Sequence, residues 1–434
     1  MRGGGRILGN GVNKKKILIV GGGGREHAIA WKLAQSPKAG EILCAPGNAG
    51  IARIARCVDA DAEDVDAMVA LAARELPDLV VIGPEVPLAK GLTDRLEARG
   101  FPVFGPNARC ARLEASKSFT KDFLARHGIP TAASRAFTDR EDLIAHIGLY
   151  GFPMVLKADG LAAGKGVVIA EDAAEAERAI REMMEDRVFG AAGDKVIVEE
   201  FLRGTEASVL CFVDGSAIVP MESAQDYKRA FDRDRGPNTG GMGTYSPSLV
   251  FDAELERQTE ERILKPTFEG FRADGLDFRG VLFIGLMITD AGPKVIEFNN
   301  RFGDPEAQSV LRRLDTDLLD VFLAVTEDRL AEIPIGWSDD CAVCVVMASG
   351  GYPGSYEKGK RITGLEDVDG DVVVFHAGTK RGADGGILTA GGRVLGVTAV
   401  GKTHDEARDK AYRNVKKLSF EGAQYRTDIG IVYG

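Results

Sequence analysis

A chain of 434 residues, 44% hydrophobic and 28% charged, has the length for about three globular domains and the composition of a soluble protein. Its net charge of −10, with both signs interspersed, excludes a general nucleic-acid binder, and no apolar run approaches the ~20 residues that span a bilayer. Six cysteines in a chain of this length are read as free thiols.

Residues 1–13 lack the apolar core of a signal peptide and are expected to be a disordered extension, with a cytoplasmic location as the consequence. Lys16 to Val20 then reads as a strand entering Gly21-Gly22-Gly23-Gly24, and Glu26 to Gln35 as a helix. A strand at Ile42 to Ala45 ends in the turn Pro46-Gly47-Asn48. A helix near Asp64 to Glu75 leads to the strand Leu79 to Ile82 and Gly83-Pro84-Glu85. This alternation implies a parallel sheet with ligands at the carboxyl ends of its strands, where all three Gly/Pro clusters fall. The first cluster fails the dinucleotide fingerprint, because Glu26 or His27 stands where the third glycine is needed. Gly22 to Arg25 at a helix start still suits a monophosphate. Asn48 equally fits a turn with no ligand, and His27 fits packing better than catalysis.

Ser116-Lys117-Ser118 opens a helix running to about His127, and Thr138 to Glu141 reads as a capping box for the next. Lys157 to Val167 carries three glycines and two lysines between the apolar runs Phe152 to Leu156 and Val167 to Ala170. That is strand, glycine-rich loop, strand. Gly160 and Gly164 are three residues apart and Gly166 follows Lys165, so the segment is not a Walker A loop. A flexible cover for a polyphosphate fits its chemistry. Glu171 to Glu185 is expected to be helical and Lys195 to Phe201 a strand. A mostly antiparallel region continues through Val219 and, past a polar loop, to Gly280–Ile288 and Lys294–Phe298. A β-rich unit begins near Ala331, with Thr403 to Glu406 capping its last helix. Cys341 and Cys344 sit in a strand-like run as packing residues.

On a regular strand, Val295, Glu297 and Asn299 would share one face and Ile296 and Phe298 the other. Glu297 and Asn299 then offer a carboxylate and an amide oxygen side by side, a donor set that suits magnesium. Arg301, Asp304 and Glu306 follow at the same strand end.

Taken together, these segments resemble the ATP-grasp ligases and, within them, the glycinamide ribonucleotide synthetase family. The matching runs include Gly23 to Ala28, Ala45 to Gly50, Gly83 to Glu85, Ser116 to Lys121 and Lys157 to Val167. They continue through Gln225-Asp226, Gly236 to Gly243, Ile296 to Glu306 and Ala348 to Pro353, in family order and over nearly the whole chain after residue 15. The fold class so expected is α/β and α+β multidomain. It comprises a Rossmann-like N-terminal domain at 14–115, an ATP-grasp domain at 116–330 with a lid subdomain near 130–200, and a β-rich α+β C-terminal domain at 331–434. The resemblance implies ATP-dependent joining of glycine to 5-phosphoribosylamine through glycyl phosphate, in purine biosynthesis, with no nucleophilic enzyme side chain.

It also implies roles. Lys117, Lys157, Gly160, Gly164, Lys165 and Gly166 would bind or cover the ATP phosphates. Glu199 and Phe201 would form the adenine hinge, and Glu206 would bind ribose. Glu297 and Asn299 would hold Mg²⁺ or Mn²⁺, and Arg301 would stabilise the transferring phosphoryl group or the acyl phosphate. Asp226 and Asp304, with Asn238, Gly240 and Gly241, would shape the glycine and amine pocket. Gly23, Arg25, Asn48 and Glu85 would bind phosphoribosylamine. The implied partners are small molecules only, on a monomer or weak homodimer. Two rivals stay open: another ATP-grasp ligase or carboxylase with a different acceptor, and a nucleotide-binding regulator that has lost catalysis. Asp226, Gly236 to Gly243 and Gly83-Pro84-Glu85 favour the glycine ligase over the first; Lys157, Glu297, Asn299 and Arg301 stand against the second.

Overall fold

A computed structural model describes residues 14–161 and 166–431. Strands β1 (Lys15–Gly21), β2 (Ala39–Pro46), β3 (Arg56–Cys57), β4 (Leu79–Ile82) and β5 (Val103–Phe104) form a parallel sheet in the order β3-β2-β1-β4-β5. The sheet is apolar on both faces because helices cover both. Ile17 and Ile19 of β1 pack with Ile29 and Leu33 of the helix Gly24–Leu33, while Leu18 and Val20 pack with Met68 and Leu71 of the helix Val65–Glu75. The glycine and proline turns after β1, β2 and β4 therefore gather along one edge.

Strands β6 (Ser134–Phe137), β7 (Met154–Ala158), β8 (Val167–Ala170) and β9 (Val196–Glu200) make an antiparallel sheet ordered β6-β9-β7-β8. The glycine-rich segment is the connection of the β7–β8 hairpin, with Lys157 opposite Val167. Its residues Gly164 and Lys165 lie outside the described residues. The helix Arg140–Ala145 is capped by Asp139, which accepts from Asp142 N–H, and not by Thr138 as the sequence pattern suggested. The carboxylate one residue nearer the helix makes the shorter reach to that orphan donor.

The polar stretch after Val219 is not a plain loop. Beyond β10 (Thr205–Val213) and β11 (Ile218–Pro220) come β12 (Gln225–Asp226), β13 (Arg229–Phe231), β14 (Arg235–Asn238) and β15 (Gly243–Ser246). Two helices follow, Ala253–Thr259 and Lys265–Ala273, joined by a π-helical turn at Glu260–Leu264. Their buried residues Leu255, Thr259, Ile263, Thr267 and Phe271 recur every four positions, a helical period partly hidden by two threonines. β16 (Gly280–Thr289) and β17 (Gly292–Asn299) then close the antiparallel sheet β11-β10-β16-β17.

The last unit contains β18 (Cys341–Ala348), β19 (Val373–His376), the hairpin β20 (Thr379–Arg381) and β21 (Ile387–Thr389), and β22 (Arg393–Gly401). Its main sheet runs β12-β15-β18-β22-β19, so residues 225–246 complete a sheet that the sequence reading started only at Ala331. Thr403 caps the helix His404–Val415 on that sheet by accepting from Glu406 N–H. All six cysteines are free. Among the described residues, no helix is long and apolar enough to cross a membrane.

Candidate active site

One cavity of about 1010 Å³ takes walls from all of these units. At its lid side, Ser116 caps the helix Lys117–Arg126, and Ser116 and Ser118 hydroxyls both donate to Asp159 at the root of the glycine-rich loop. Burial alone would raise Asp159, yet the Ser118 hydrogen bonds hold it below the usual carboxylate range. This clamp brings Lys117 Nζ to 2.9 Å from Gly160 O. Gly160 must lack a side chain: a Cβ there would lie 2.5 Å from Ala192 Cβ.

Behind the loop, Glu199 Oε2 sits 3.0 Å from Lys157 Nζ and 3.2 Å from Lys121 Nζ, all three side chains being buried. Burial pushes Lys121 down to about 8 although Glu199 opposes it, and it pushes Lys117 down as well. Glu199 Oε1 is buried with no hydrogen-bond partner among the described residues. Phe201 lies beneath the Arg203 guanidinium, and Glu206 pairs with Lys228 at 3.1 Å. Gly166, Phe201 and Glu206 all line the cavity.

β17 departs from the alternation expected of it. Gly285 of β16 faces Glu297 while Leu286 faces Val295, so Ile296 is an extra residue in a β-bulge. Val295 and Phe298 consequently both enter the core, and Ile296, Glu297 and Asn299 all line the cavity. The bulge corrects the expected faces without separating the two side chains: Asn299 Nδ2 lies 3.4 Å from Glu297 Oε1. Burial would raise Glu297, but the ammonium groups of Lys228, Lys157 and Lys117 hold it below the usual carboxylate range. An ionised carboxylate beside an amide oxygen fits a hard divalent cation.

Arg301, just past this strand, is half-buried between two carboxylates. Its Nε lies 3.2 Å from Glu85 Oε2 and its Nη2 2.9 Å from Glu114 Oε1. Asn300 turns away from the cavity, its Nδ2 donating to Cys110 O. Asp304 accepts from Gln308 Nε2 at 2.9 Å and from Arg25 N–H at 3.3 Å. Arg393, from the start of β22, donates through Nη1 to Gly240 O at 2.5 Å and to Asp304 O at 2.6 Å. Tyr352 Oη accepts from Gly240 N–H at 2.9 Å. Asp226, Asn238 and Gly240 line the cavity, and Gly241 passes close over Asp226.

The N-terminal turn is held by hydrogen bonds from its own side chains. Gly23 N–H donates to Glu26 Oε2 at 2.6 Å, and Arg25 Nε is paired with Glu26 Oε1 at 2.6 Å. Asn48 spends its side chain on the fold: Oδ1 accepts from Gly50 and Ile51 N–H, and Nδ2 donates to Gly22 O and His376 O. Of the four residues expected to bind phosphoribosylamine, Arg25 and Glu85 line the cavity, while Gly23 and Asn48 hold the turn together. His27 is likewise structural; its Nδ1 accepts from His376 N–H at 2.8 Å. Glu114, Lys121, Lys228, Glu306 and Arg393 line the cavity without having been singled out for it. Lys121 lay inside the motif starting at Ser116, and Glu306 closed the run after Ile296. Glu114, Lys228 and Arg393 carry no local signal.

Comparison with known proteins gives matches along the chain. Three family models fit: Phosphoribosylglycinamide synthetase, N domain, over residues 15–114; its ATP-grasp (A) domain over 115–307; and its C domain over 342–432. A phosphoribosylamine–glycine ligase from Caulobacter vibrioides is 51% identical over 421 residues, covering 96% of this chain and 98% of that protein. The crystal structure of a phosphoribosylamine–glycine ligase from Thermotoga maritima superposes with a TM-score of 0.83 at 35% identity, covering 95% of this chain and 99% of that one. A biotin carboxylase from Campylobacter jejuni shares the fold, with a TM-score of 0.74 at 14% identity over 95% of this chain and 93% of its own.

Proposed function

The chain belongs to the phosphoribosylglycinamide synthetase family of ATP-grasp ligases, and on that premise we propose that it makes glycinamide ribonucleotide from ATP, glycine and 5-phosphoribosylamine through glycyl phosphate. The observation that carries this reading is the single cavity shared by Lys117, Lys157, Glu297, Arg301 and Asp226. In the first step a glycine carboxylate oxygen attacks the γ-phosphorus, the bond to the β-phosphate oxygen breaks, and ADP leaves with the electron pair. In the second, the amine of phosphoribosylamine attacks the acyl carbon, phosphate leaves, and the nitrogen loses a proton. Both steps depend on positioning and charge neutralisation, not on an enzyme nucleophile.

Lys117 and Lys157 hold the phosphates under the loop of Gly160, Gly164, Lys165 and Gly166. Glu199 and Phe201 receive adenine, and Glu206 the ribose. Glu297 and Asn299 would hold Mg²⁺, or equally Mn²⁺, which when bound neutralises charge on the phosphate oxygens. Arg301, fixed by Glu85 and Glu114, faces the transferring group with little freedom to lose. Asp226, Asp304, Asn238, Gly240 and Gly241 form the glycine and amine pocket, and Arg25 and Glu85 meet phosphoribosylamine. We expect it to act as a monomer or weak homodimer. We place the enzyme in the cytoplasm, where its metabolites are. The test is ADP release with glycine and freshly generated phosphoribosylamine, each omitted in turn. ADP formation that does not depend on both substrates rejects the proposal.

A further inference from the structure

The hairpin of β13 and β14 has little of its own to hold it. It is a sheet of two strands, with Arg229 opposite Asn238 and Phe231 opposite Arg235, and a lone two-stranded hairpin is marginal in water. Phe231 is 52% exposed and gives it no core. Its turn puts Arg233 and Asp234 at φ +59° and +50°, the left-handed region that residues with a side chain enter at a cost. Yet Arg229, Asp234 and Asn238 line the cavity, and so do Thr239 and Gly240 directly after the hairpin.

What holds the hairpin comes from the far end of the chain. The Arg426 side chain has no exposed surface. Its guanidinium lies over the Tyr227 ring, 4.8 Å from the centroid, and grips Asp428 by two hydrogen bonds, Nε to Oδ1 and Nη2 to Oδ2, each 2.7 Å. The remaining nitrogen, Nη1, donates to Arg229 O at 3.2 Å and to Asp234 Oδ1 at 2.7 Å. Asp428 Oδ2 also accepts from Arg233 N–H at 2.8 Å, and Thr427 N–H donates to Asp232 Oδ1 at 2.8 Å. Both left-handed residues are thus tied, one through its amide and the other through its carboxylate. The same segment fixes the chain just before the hairpin: Tyr227 Oη donates to Ile431 O at 2.9 Å and accepts from Gly430 N–H at 3.0 Å.

We propose that Arg426 and Asp428 are positioning residues for the reaction, a clasp from the C-terminal segment that sets the β13–β14 hairpin and, through it, the cavity wall at Asn238 to Gly240. The inference rests on the ligase reading above and adds a determinant of glycine binding outside the cavity. Arg426 is not among the described residues that line the cavity, so it acts only through the hairpin. A planar guanidinium with five donors serves Asp428, Arg229 and Asp234 at once; a lysine ammonium, with three donors on one atom, does not span them. A wall set in advance spares the bound substrate the cost of ordering it.

Two variants test the clasp. Arg426→Lys keeps the buried charge and loses the fork, and Asp232→Ala removes the solvent-facing tie to Thr427. Both should keep the parent's circular dichroism spectrum. The glycine KM should rise about tenfold in Arg426→Lys and about threefold in Asp232→Ala, with the KM for ATP unchanged in each. Trypsin reads the hairpin without any reaction: Arg426→Lys should be cut after Arg233 or Arg235 about tenfold faster than the parent, the rest of the chain staying intact. An unchanged glycine KM in the folded variants overturns the proposal. So does equal trypsin resistance, and so does a parallel rise in both KM values, which marks a merely structural role. If Arg426→Lys does not fold, the same two readouts on Asp232→Ala decide. Failure of the unaltered enzyme to form ADP with glycine and phosphoribosylamine would reject the ligase reading itself, while the trypsin comparison still judges the clasp.

Discussion

Glu199→Gln removes the one carboxylate that two buried ammonium groups share. Glu199 Oε2 is 3.0 Å from Lys157 Nζ and 3.2 Å from Lys121 Nζ, and the side chains of the three are only 4%, 7% and 10% exposed. Solvent screens such a cluster little, and removing one partner of a buried pair costs about 3–5 kcal/mol. Neutral acceptors remain: Ile296 O at 3.3 Å for Lys157, and Thr131 Oγ1 at 2.8 Å and Ala132 O at 3.2 Å for Lys121. They offset part of the loss, so about 3 kcal/mol is expected, at the low end of that range. Adding Lys121→Met removes one stranded charge, and the double variant should be about 1 kcal/mol less destabilised than the sum of the single variants. Urea unfolding followed by circular dichroism at fixed ionic strength measures all three. A pH series adds a second check. Burial holds Lys121 at about 8 against 10.5 when free, so the folded state binds this proton less tightly than the unfolded state. The resulting cost is full below pH 8 and disappears as pH rises toward 10.5. The stability difference between Lys121→Met and the parent should drift in the parent's favour across that window. A Glu199→Gln loss below about 1 kcal/mol, or strict additivity in the double variant, would refute the reasoning.

Glu297→Ala should abolish turnover at ordinary magnesium while leaving the circular dichroism spectrum unchanged; near-normal rates would remove Glu297 from the metal site. Burial depresses His27 to about 3 and His376 to about 4 from 6.5, so stability is full above pH 6.5 and is lost as pH falls toward 4 and 3. For His27 the full effect is on the order of 5 kcal/mol, and His27→Gln should flatten the dependence of melting temperature on pH between 6.5 and 4. Parallel pH profiles for parent and variant would contradict this. Arg393→Met frees Gly240 and Asp304 and should raise the glycine KM about tenfold with ATP binding unchanged; equal glycine KM values would show that the tether does not position the pocket.

What could be read from the sequence is local in origin, and what could not is set by partners far along the chain. The β7–β8 hairpin is legible because apolar strand residues directly flank its glycines. The bulge at Ile296 is not, since it depends on Gly285 and Leu286 of the neighbouring strand. Asn48 shows the same limit in reverse: its turn looks identical with or without a ligand until His376 O arrives from 328 positions away. Charged residues suffer most. Arg393 and Glu114 sit in ordinary patterns, and only the folded chain brings one to Asp304 and the other to Arg301. Placement also decides the sign of each wall. Lys117, Lys121 and Lys157 surround Glu199 and Glu297 with an excess of positive charge, while nearby Asp226, Glu306 and Asp304 are set among Lys228, Arg301 and Arg393. Arg301 follows Asn299 by two residues and is held between Glu85 and Glu114. The order of charges across the cavity, more than any single motif, is what the folded chain adds to the sequence reading.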